Sequence, residues 1–231
     1  MIPLKDDNPT RSFPFVTIAV IVLNLAVFVW ELLLQQQARL QPAIGALAVI
    51  PARLTGMDPL DPALWADTGV RLVAAMFLHG GILHLAGNMI YLWIFGNNIE
   101  DIMGHGRFLA FYLLTGACAS LAQILASPDS TVPMIGASGA ISGVLGAYLI
   151  LYPAARVLTL VFFVFFVRVV PFPAVIVLGV WFLIQVVNAG QALPGRIAAG
   201  GVAWMAHIGG FLAGIVLVLL FRRRRPRHAL F

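Results

Sequence analysis

The polar side chains that stand out within the long apolar runs of this chain are His84 and Asn88, Ser138 and Ser142, Gln185 and Asn188, and His207. Asn88 follows His84 by four residues, so on a helix the two share one face a turn apart. A serine, a histidine able to take its proton, and a His/Asn pair able to hold an oxyanion are the minimum set for acyl transfer. Ser138 lies in the run Gly136-Ala137-Ser138-Gly139, after a polar loop ending at Pro133. Small neighbours let a substrate backbone approach, and a helix start directs free N–H groups at an anion. The same residues have a plainer use. Ser138, Ser142 and Gly146, with Gly139 and Gly143, form a small-residue seam for close helix packing, and Gly210 and Gly214 after His207 form a second. The two uses are compatible, since seams on these segments would hold Ser138 beside His207.

What is missing narrows the chemistry. No Asp or Glu falls at the centre of an apolar run and there is no H-E-x-x-H sequence. An aspartyl intramembrane protease needs two buried carboxylates and a zinc one needs that helix, so both are excluded, and no metal or cofactor is expected.

These residues must be positioned by membrane helices. The 231 residues are 61% apolar and 10% charged, against about 25% charged in a soluble domain. At about 20 apolar residues per span, the apolar runs predict a single all-α integral membrane domain over residues 13–221 with six spans, near 13–34, 82–99, 108–126, 134–152, 172–189 and 202–221. A short segment 1–12 precedes it and a basic tail 222–231 follows. The apolar stretch from Val157, broken by Arg168, Pro171 and Pro173, is expected to begin as an embedded or interfacial loop. With the N-terminus inside, the cytoplasmic segments hold 10 Lys and Arg and the outer segments 4, which predicts cytoplasmic termini. The net charge of +5 comes largely from the tail run Arg222–Arg225 with Arg227, read as contact with anionic lipid rather than nucleic acid. The outer segment 35–81 is long, and contains Trp65 and acidic residues between Asp58 and Asp67; it is read equally well as functional or as an interfacial hairpin. Cys118 is read as packing.

Spans two, four and six enter from the same face. His84, Ser138 and His207 then lie within roughly 3 to 8 Å of the outer ends of their helices, at about 1.5 Å per residue.

His84-x-x-x-Asn88, the Gly136-Ala137-Ser138-Gly139 box, and Ala206-His207 followed by Gly210-x-x-x-Gly214 resemble, in order and in span, the rhomboid intramembrane serine proteases. The resemblance runs from about Arg71 to Gly214 and includes Glu100 and Gly104-His105-Gly106-Arg107-Phe108. It implies Ser138 as nucleophile and His207 as general base without a third carboxylate. His84, Asn88 and the Ser138 backbone N–H would form the oxyanion hole. It implies single-pass membrane proteins as substrates, cut near the outer end of their span. Two positions depart from the family: Ser142 stands where an aromatic residue often stacks on the base, and Val70-Arg71 where a Trp-Arg pair is usual. Gln185 and Asn188 are expected to be packing or interfacial residues, His79 to be structural, and His105 and His228 to lie on the cytoplasmic side. The expected setting is a bacterial or archaeal plasma membrane. A noncatalytic relative that binds membrane clients would use the same bundle, but nothing would keep Ser138 and His207 at one depth. A transporter would need a polar path continuing inward below His207, and the inner halves of spans two, four and six lack one.

Overall fold

The computed structural model describes residues 1–55, 62–163, 166–191 and 202–222. Strand β1 (Ile2–Asp6) precedes α1 (Phe15–Gln36), followed by the short helices α2 (Leu40–Leu47), α3 (Pro51–Thr55) and α4 (Pro62–Ala74). Helix α5 (Ile82–Tyr91) continues through a π-helical turn, Leu92–Gly96, into α6 (Asn97–Met103). Then come α7 (His105–Ala126), α8 (Ser138–Leu151), strands β2 (Arg156–Phe163) and β3 (Phe166–Pro173), α9 (Ala174–Gln191) and α10 (Trp204–Phe221).

The surface is inverted relative to a water-soluble protein. Leu25 and Leu33 on α1, Leu183 and Ile184 on α9, and Val216 and Leu220 on α10 are all exposed. Thr17, Asn24 and Glu31 on α1 are instead buried, on one face with Val20 and Phe28. Polar groups inside and apolar groups outside suit a hydrocarbon solvent, where every polar group must be satisfied within the protein. Helices α1, α7, α9 and α10 are long and apolar enough to cross a bilayer, and a fifth crossing is counted if the bent pair Ala66–Phe77 and Ile82–Met103 is taken as one span. The chain is thus a mostly helical, multi-pass integral membrane protein.

Helix α8, at 14 residues, is shorter than the four helices long enough to cross a bilayer. It is also the most enclosed: Ala140 to Tyr148 are all buried, with α10, α7 and α9 packed around it. A helix apolar on all sides is one surrounded by protein. Its contact with α10 is made by backbone. A Cβ on Gly210 would overlap the Gly139 carbonyl oxygen, one on Gly214 the Gly143 carbonyl oxygen, and one on Gly146 the Phe211 carbonyl oxygen. On the α7 side, a Cβ on Gly139 would come within 2.6 Å of the Ala119 Cβ. The small residues therefore do form the packing seams.

The all-helical expectation needs a correction. Residues 157–171, expected to be an embedded or interfacial loop, form an antiparallel hairpin in which Val157 faces Phe172 and Phe163 faces Phe166. Strand β1, from the segment expected only to lead into the first span, adds antiparallel to β2, with Ile2 opposite Leu160. The composition explains it: β2 and β3 are rich in Val, Thr and Phe, which favour strands, and Pro171 and Pro173 fall on the edge strand, where a missing N–H is tolerated. A sheet with an open edge does not enter hydrocarbon.

The long segment 35–81 is largely helical. Val49 pairs with Met134, donating at 3.3 Å and accepting at 2.7 Å, so this segment braces the loop that leads into α8. Arg71 pairs with Asp67 at 2.5 Å and donates to the Gly45 carbonyl at 3.3 Å. Asp58, the Trp65 side chain, Arg196, Arg223 and the rest of the basic tail, with His228, lie outside the described residues.

Candidate active site

Three helices begin at the same end of the bundle, and each contributes a polar side chain from its first turn. His84 is the third residue of α5, Ser138 the first of α8 and His207 the fourth of α10. Ser138 Oγ lies 2.8 Å from His207 Nε2. Sixty-nine residues separate them in sequence, and the glycine seam between α8 and α10 brings them together.

The hydrogen-bonding partners around each imidazole assign its tautomer. Gln185 Nε2 donates to the Trp181 carbonyl at 3.0 Å, one turn back on α9. This leaves Gln185 Oε1 to face His207 Nδ1, 2.8 Å away. An amide oxygen only accepts, so Nδ1 carries the hydrogen and Nε2 presents a lone pair to the Ser138 hydroxyl. The usual aromatic residue at position 142 is replaced in space rather than in sequence. Trp181 flanks His207 with ring centroids 6.0 Å apart and the planes tilted by 37°, and Trp204 meets it edge-on at 6.1 Å and 87°. Ser142 turns its hydroxyl back to the Ser138 carbonyl at 2.6 Å.

A second set of donors faces Ser138 across Gly136. The Gly80 N–H donates to His84 Nδ1 at 3.4 Å, so Nε2–H is the free donor of that ring, and it points at Gly136. A Cβ on Gly136 would come within 2.7 Å of His84 Nε2, and φ there is +117°, so glycine is required twice over. Asn88, 7% exposed, is held by His79. His79 Nδ1 donates to the Phe77 carbonyl at 3.2 Å, and its Nε2 accepts from Asn88 Nδ2 at 2.9 Å. One hydrogen of the Asn88 amide is thereby taken and the other is left toward Gly136, whose Cβ position lies 3.7 Å from Nδ2. The His79 backbone N–H is in turn accepted by both carboxylate oxygens of buried Glu31, at 3.1 Å each. Ala137, the residue capping α8, has no polar side chain to cap with. The first N–H groups of α8, beginning with that of Ser138, are therefore orphan donors at the positive end of a helix.

These groups open into a cavity of about 830 Å³. His84, Asn88, Ser138 and His207 line it, together with Ser127, Ser130, Tyr91, Leu145 and Trp181. A nucleophile bonded to a base, with converging donors beside them and room for a substrate, is the arrangement for attack on a carbonyl. Among the described residues no three His, Cys, Asp or Glu gather to hold a metal ion.

The structure thus brings together Ser138, His207, His84 and Asn88, with Gly136 against His84 and Asn88, and Gly139, Gly210 and Gly214 in the helix seam. Two contacts were not foreseen. Gln185, expected to be packing, is bonded to His207, and His79 is bonded to Asn88. A Trp-x-x-x-Gln spacing on the span facing the histidine was the available signal for the first. Asn188 is half-buried and is not among the residues lining the cavity. His105 lies at the opposite end of the bundle, 2.6 Å from Glu100.

A family model described as the Rhomboid domain matches residues 66–224. Rhomboid protein 1, mitochondrial, of Saccharomyces cerevisiae is 30% identical over 156 residues, covering 66% of this chain and 42% of that protein. Rhomboid protease GluP of Bacillus subtilis is 48% identical over 79 residues, 34% of this chain and 15% of that protein. RHOMBOID-like protein 4 of Arabidopsis thaliana is 29% identical over 232 residues, 91% of this chain and 54% of that protein. The chain spans about half or less of the length of each of these relatives.

Proposed function

The chain belongs to the rhomboid family, and from that footing we propose that it is an intramembrane serine endopeptidase cleaving single-pass membrane proteins near the outer end of their transmembrane segment. The observation that carries this reading is the 2.8 Å contact of Ser138 Oγ with His207 Nε2, the nitrogen left to act as acceptor when Nδ1 donates to Gln185.

In this mechanism Ser138 Oγ attacks the scissile carbonyl as its proton passes to His207 Nε2. The oxyanion accepts hydrogen bonds from His84 Nε2–H, Asn88 Nδ2–H and the Ser138 backbone N–H. His207 then gives the proton to the departing amine, the C–N bond breaks and an acyl ester remains on Ser138. Water entering through the cavity attacks this ester, its proton passing to His207 Nε2 and on to the Ser138 oxygen as that oxygen leaves. The short α8 supports access by water. Its 14 residues span about 21 Å against a hydrocarbon thickness of about 30 Å, so the helix alone falls short of one surface and the non-helical segment before Ser138 completes the crossing. Irregular backbone at membrane depth is tolerated where it lines a water-filled cavity, as the segment before Ser138 would.

The fuller picture is of six spans, counting α5–α6 and α8 among them, with both termini cytoplasmic as the Lys and Arg distribution favours. The substrates are membrane-embedded and the oligomeric state is left open. A bacterial or archaeal plasma membrane is the proposed setting, and the relatives include both a Bacillus subtilis protein and a mitochondrial one. Side-by-side exposure of single-pass proteins to wild type and Ser138→Ala tests the reading, together with labelling by a serine-directed fluorophosphonate. Wild type should cleave and be labelled at Ser138. A noncatalytic client-binding protein would do neither.

A further inference from the structure

We propose that Gln185 completes a Ser138–His207–Gln185 relay, acting as the positioning residue that keeps His207 in the base-competent tautomer. This rests on the reading of Ser138 and His207 as nucleophile and base.

A histidine can take a proton from serine only if the nitrogen facing that serine is bare, and an isolated imidazole has no reason to choose it. In this structure the choice is made on α9. The Trp181 carbonyl can only accept, so it turns the Gln185 NH₂ toward itself at 3.0 Å. The amide oxygen is left 2.8 Å from His207 Nδ1, and the imidazole hydrogen must sit there. Gln185 is 4% exposed, so water does not compete for either end of its amide. The ring faces are held separately by Trp181 and Trp204, which constrain tilt but cannot select a tautomer. Among the described residues, Gln185 is the group that contacts His207 Nδ1 and can make that choice.

A neutral amide also suits the location. A carboxylate in the same place would have to be stripped of water, which is costly for a charge, whereas an amide with both ends bonded is satisfied as it stands. Tautomer selection is separable from charge, and the chain keeps the first without the second.

The test is the rate of fluorophosphonate labelling in detergent by wild type, Gln185→Leu, Gln185→Glu and His207→Ala. Leu keeps the bulk and removes the acceptor, and the maximal labelling rate is expected to fall about 10- to 100-fold with the probe concentration for half-maximal rate unchanged. A neutral Glu can accept from Nδ1–H and donate to the Trp181 carbonyl, and should recover the rate to within about tenfold of wild type. A Gln185→Leu rate within about threefold of wild type would overturn the proposal. The same holds if Leu and Glu lose activity equally, since that would mark a loss of packing. A readout that needs no Gln185 variant is the ¹⁵N spectrum of histidine-labelled wild type, with His207 assigned by its disappearance in His207→Ala. A hydrogen on Nδ1 is expected, and one on Nε2 would refute the relay. If wild type is not labelled, or His207→Ala is labelled as fast, it is the Ser138–His207 reading that fails.

Discussion

The bundle has a polar network at each end, and the two are built on different terms. Away from the cavity, Glu100 is fully buried and receives the Val16 and Thr17 backbone N–H groups, the Thr17 hydroxyl and His105, all between 2.6 and 2.9 Å. Asp101 Oδ1 accepts from the Ser12 backbone and hydroxyl at 2.9 and 2.6 Å. Asp6 accepts from Asn98 at 2.8 Å and Tyr148 at 2.6 Å. At the cavity end the groups that meet the cavity are Ser138, His207, His84 and Asn88, with Gln185 behind His207, and none is an acid; the buried Glu31 carboxylate stands one residue further back, occupied by the His79 backbone N–H. Charge is thus concentrated where it is surrounded by donors, and there it clamps residues 2–17 to α6 and α8. Where Ser138 stands, neutral groups keep a lone pair or a hydrogen in reserve, facing a cavity. A buried carboxylate with its donors filled is costly to disturb and has nothing left to offer a substrate.

That contrast can be broken experimentally, most severely at the cavity end. Replacing Ser138 or His207 by Ala should reduce cleavage of a single-pass substrate by roughly 10⁴- to 10⁶-fold while unfolding in detergent stays close to wild type. Substantial residual cleavage would remove the cavity end from the chemistry. Asn88→Ala should cost less, about 10²- to 10³-fold in rate, because other donors remain. A loss as large as that of Ser138→Ala would mean that Asn88 does more than hold an oxyanion.

At the opposite end the expected readout is stability. Glu100→Gln weakens charge-assisted bonds and should lower unfolding free energy by roughly 1.5–3 kcal/mol, with cleavage retained at temperatures where the fold persists. Loss of cleavage in a folded Glu100→Gln protein would erase the division between the ends. The smallest effect is expected at Asp6. Burial raises its carboxyl above the ordinary value, against the lowering effect of the Tyr148 hydrogen bond. The folded state therefore holds this proton more tightly than the unfolded chain. The resulting stability is complete below the unfolded carboxylate range and is lost as pH rises through the folded value. The melting temperature of wild type relative to Asp6→Asn should be highest in acid and decline toward neutral pH; a flat difference would show that Asp6 does not titrate between the two states.

The residues at the cavity end were largely legible because each announces itself locally. Polar side chains are rare in apolar runs, the His84–Asn88 spacing is a helical turn, and small residues flank Ser138. Gln185 was illegible for the opposite reason. Its own span says only that a glutamine is present, and its meaning depends on how α9 rotates against α10, a matter of packing among side chains far apart in sequence. The aromatic neighbour of His207 was hidden in the same way, since the neighbourhood of Ser142 gives no hint that Trp181 flanks the ring. The sheet was missed because β2 and β3 are apolar on both faces, like the start of a membrane span. Its third strand closes a pairing of Ile2 with Leu160, which no short-range pattern encodes.

The sheet has a mechanical consequence. Strand β2 follows α8 and β3 runs directly into α9, while the Ala174 and Val175 N–H groups tie the start of α9 to the Ala155 and Pro153 carbonyls at 2.8 and 3.0 Å. Helices α8 and α9 are therefore the two arms of a pair of tongs, with Ser138 and Gln185 toward the tips and the sheet at the pivot. Strand β1 is laid across that pivot. Residues 2–6, paired with β2, thereby belong to the support that both arms share.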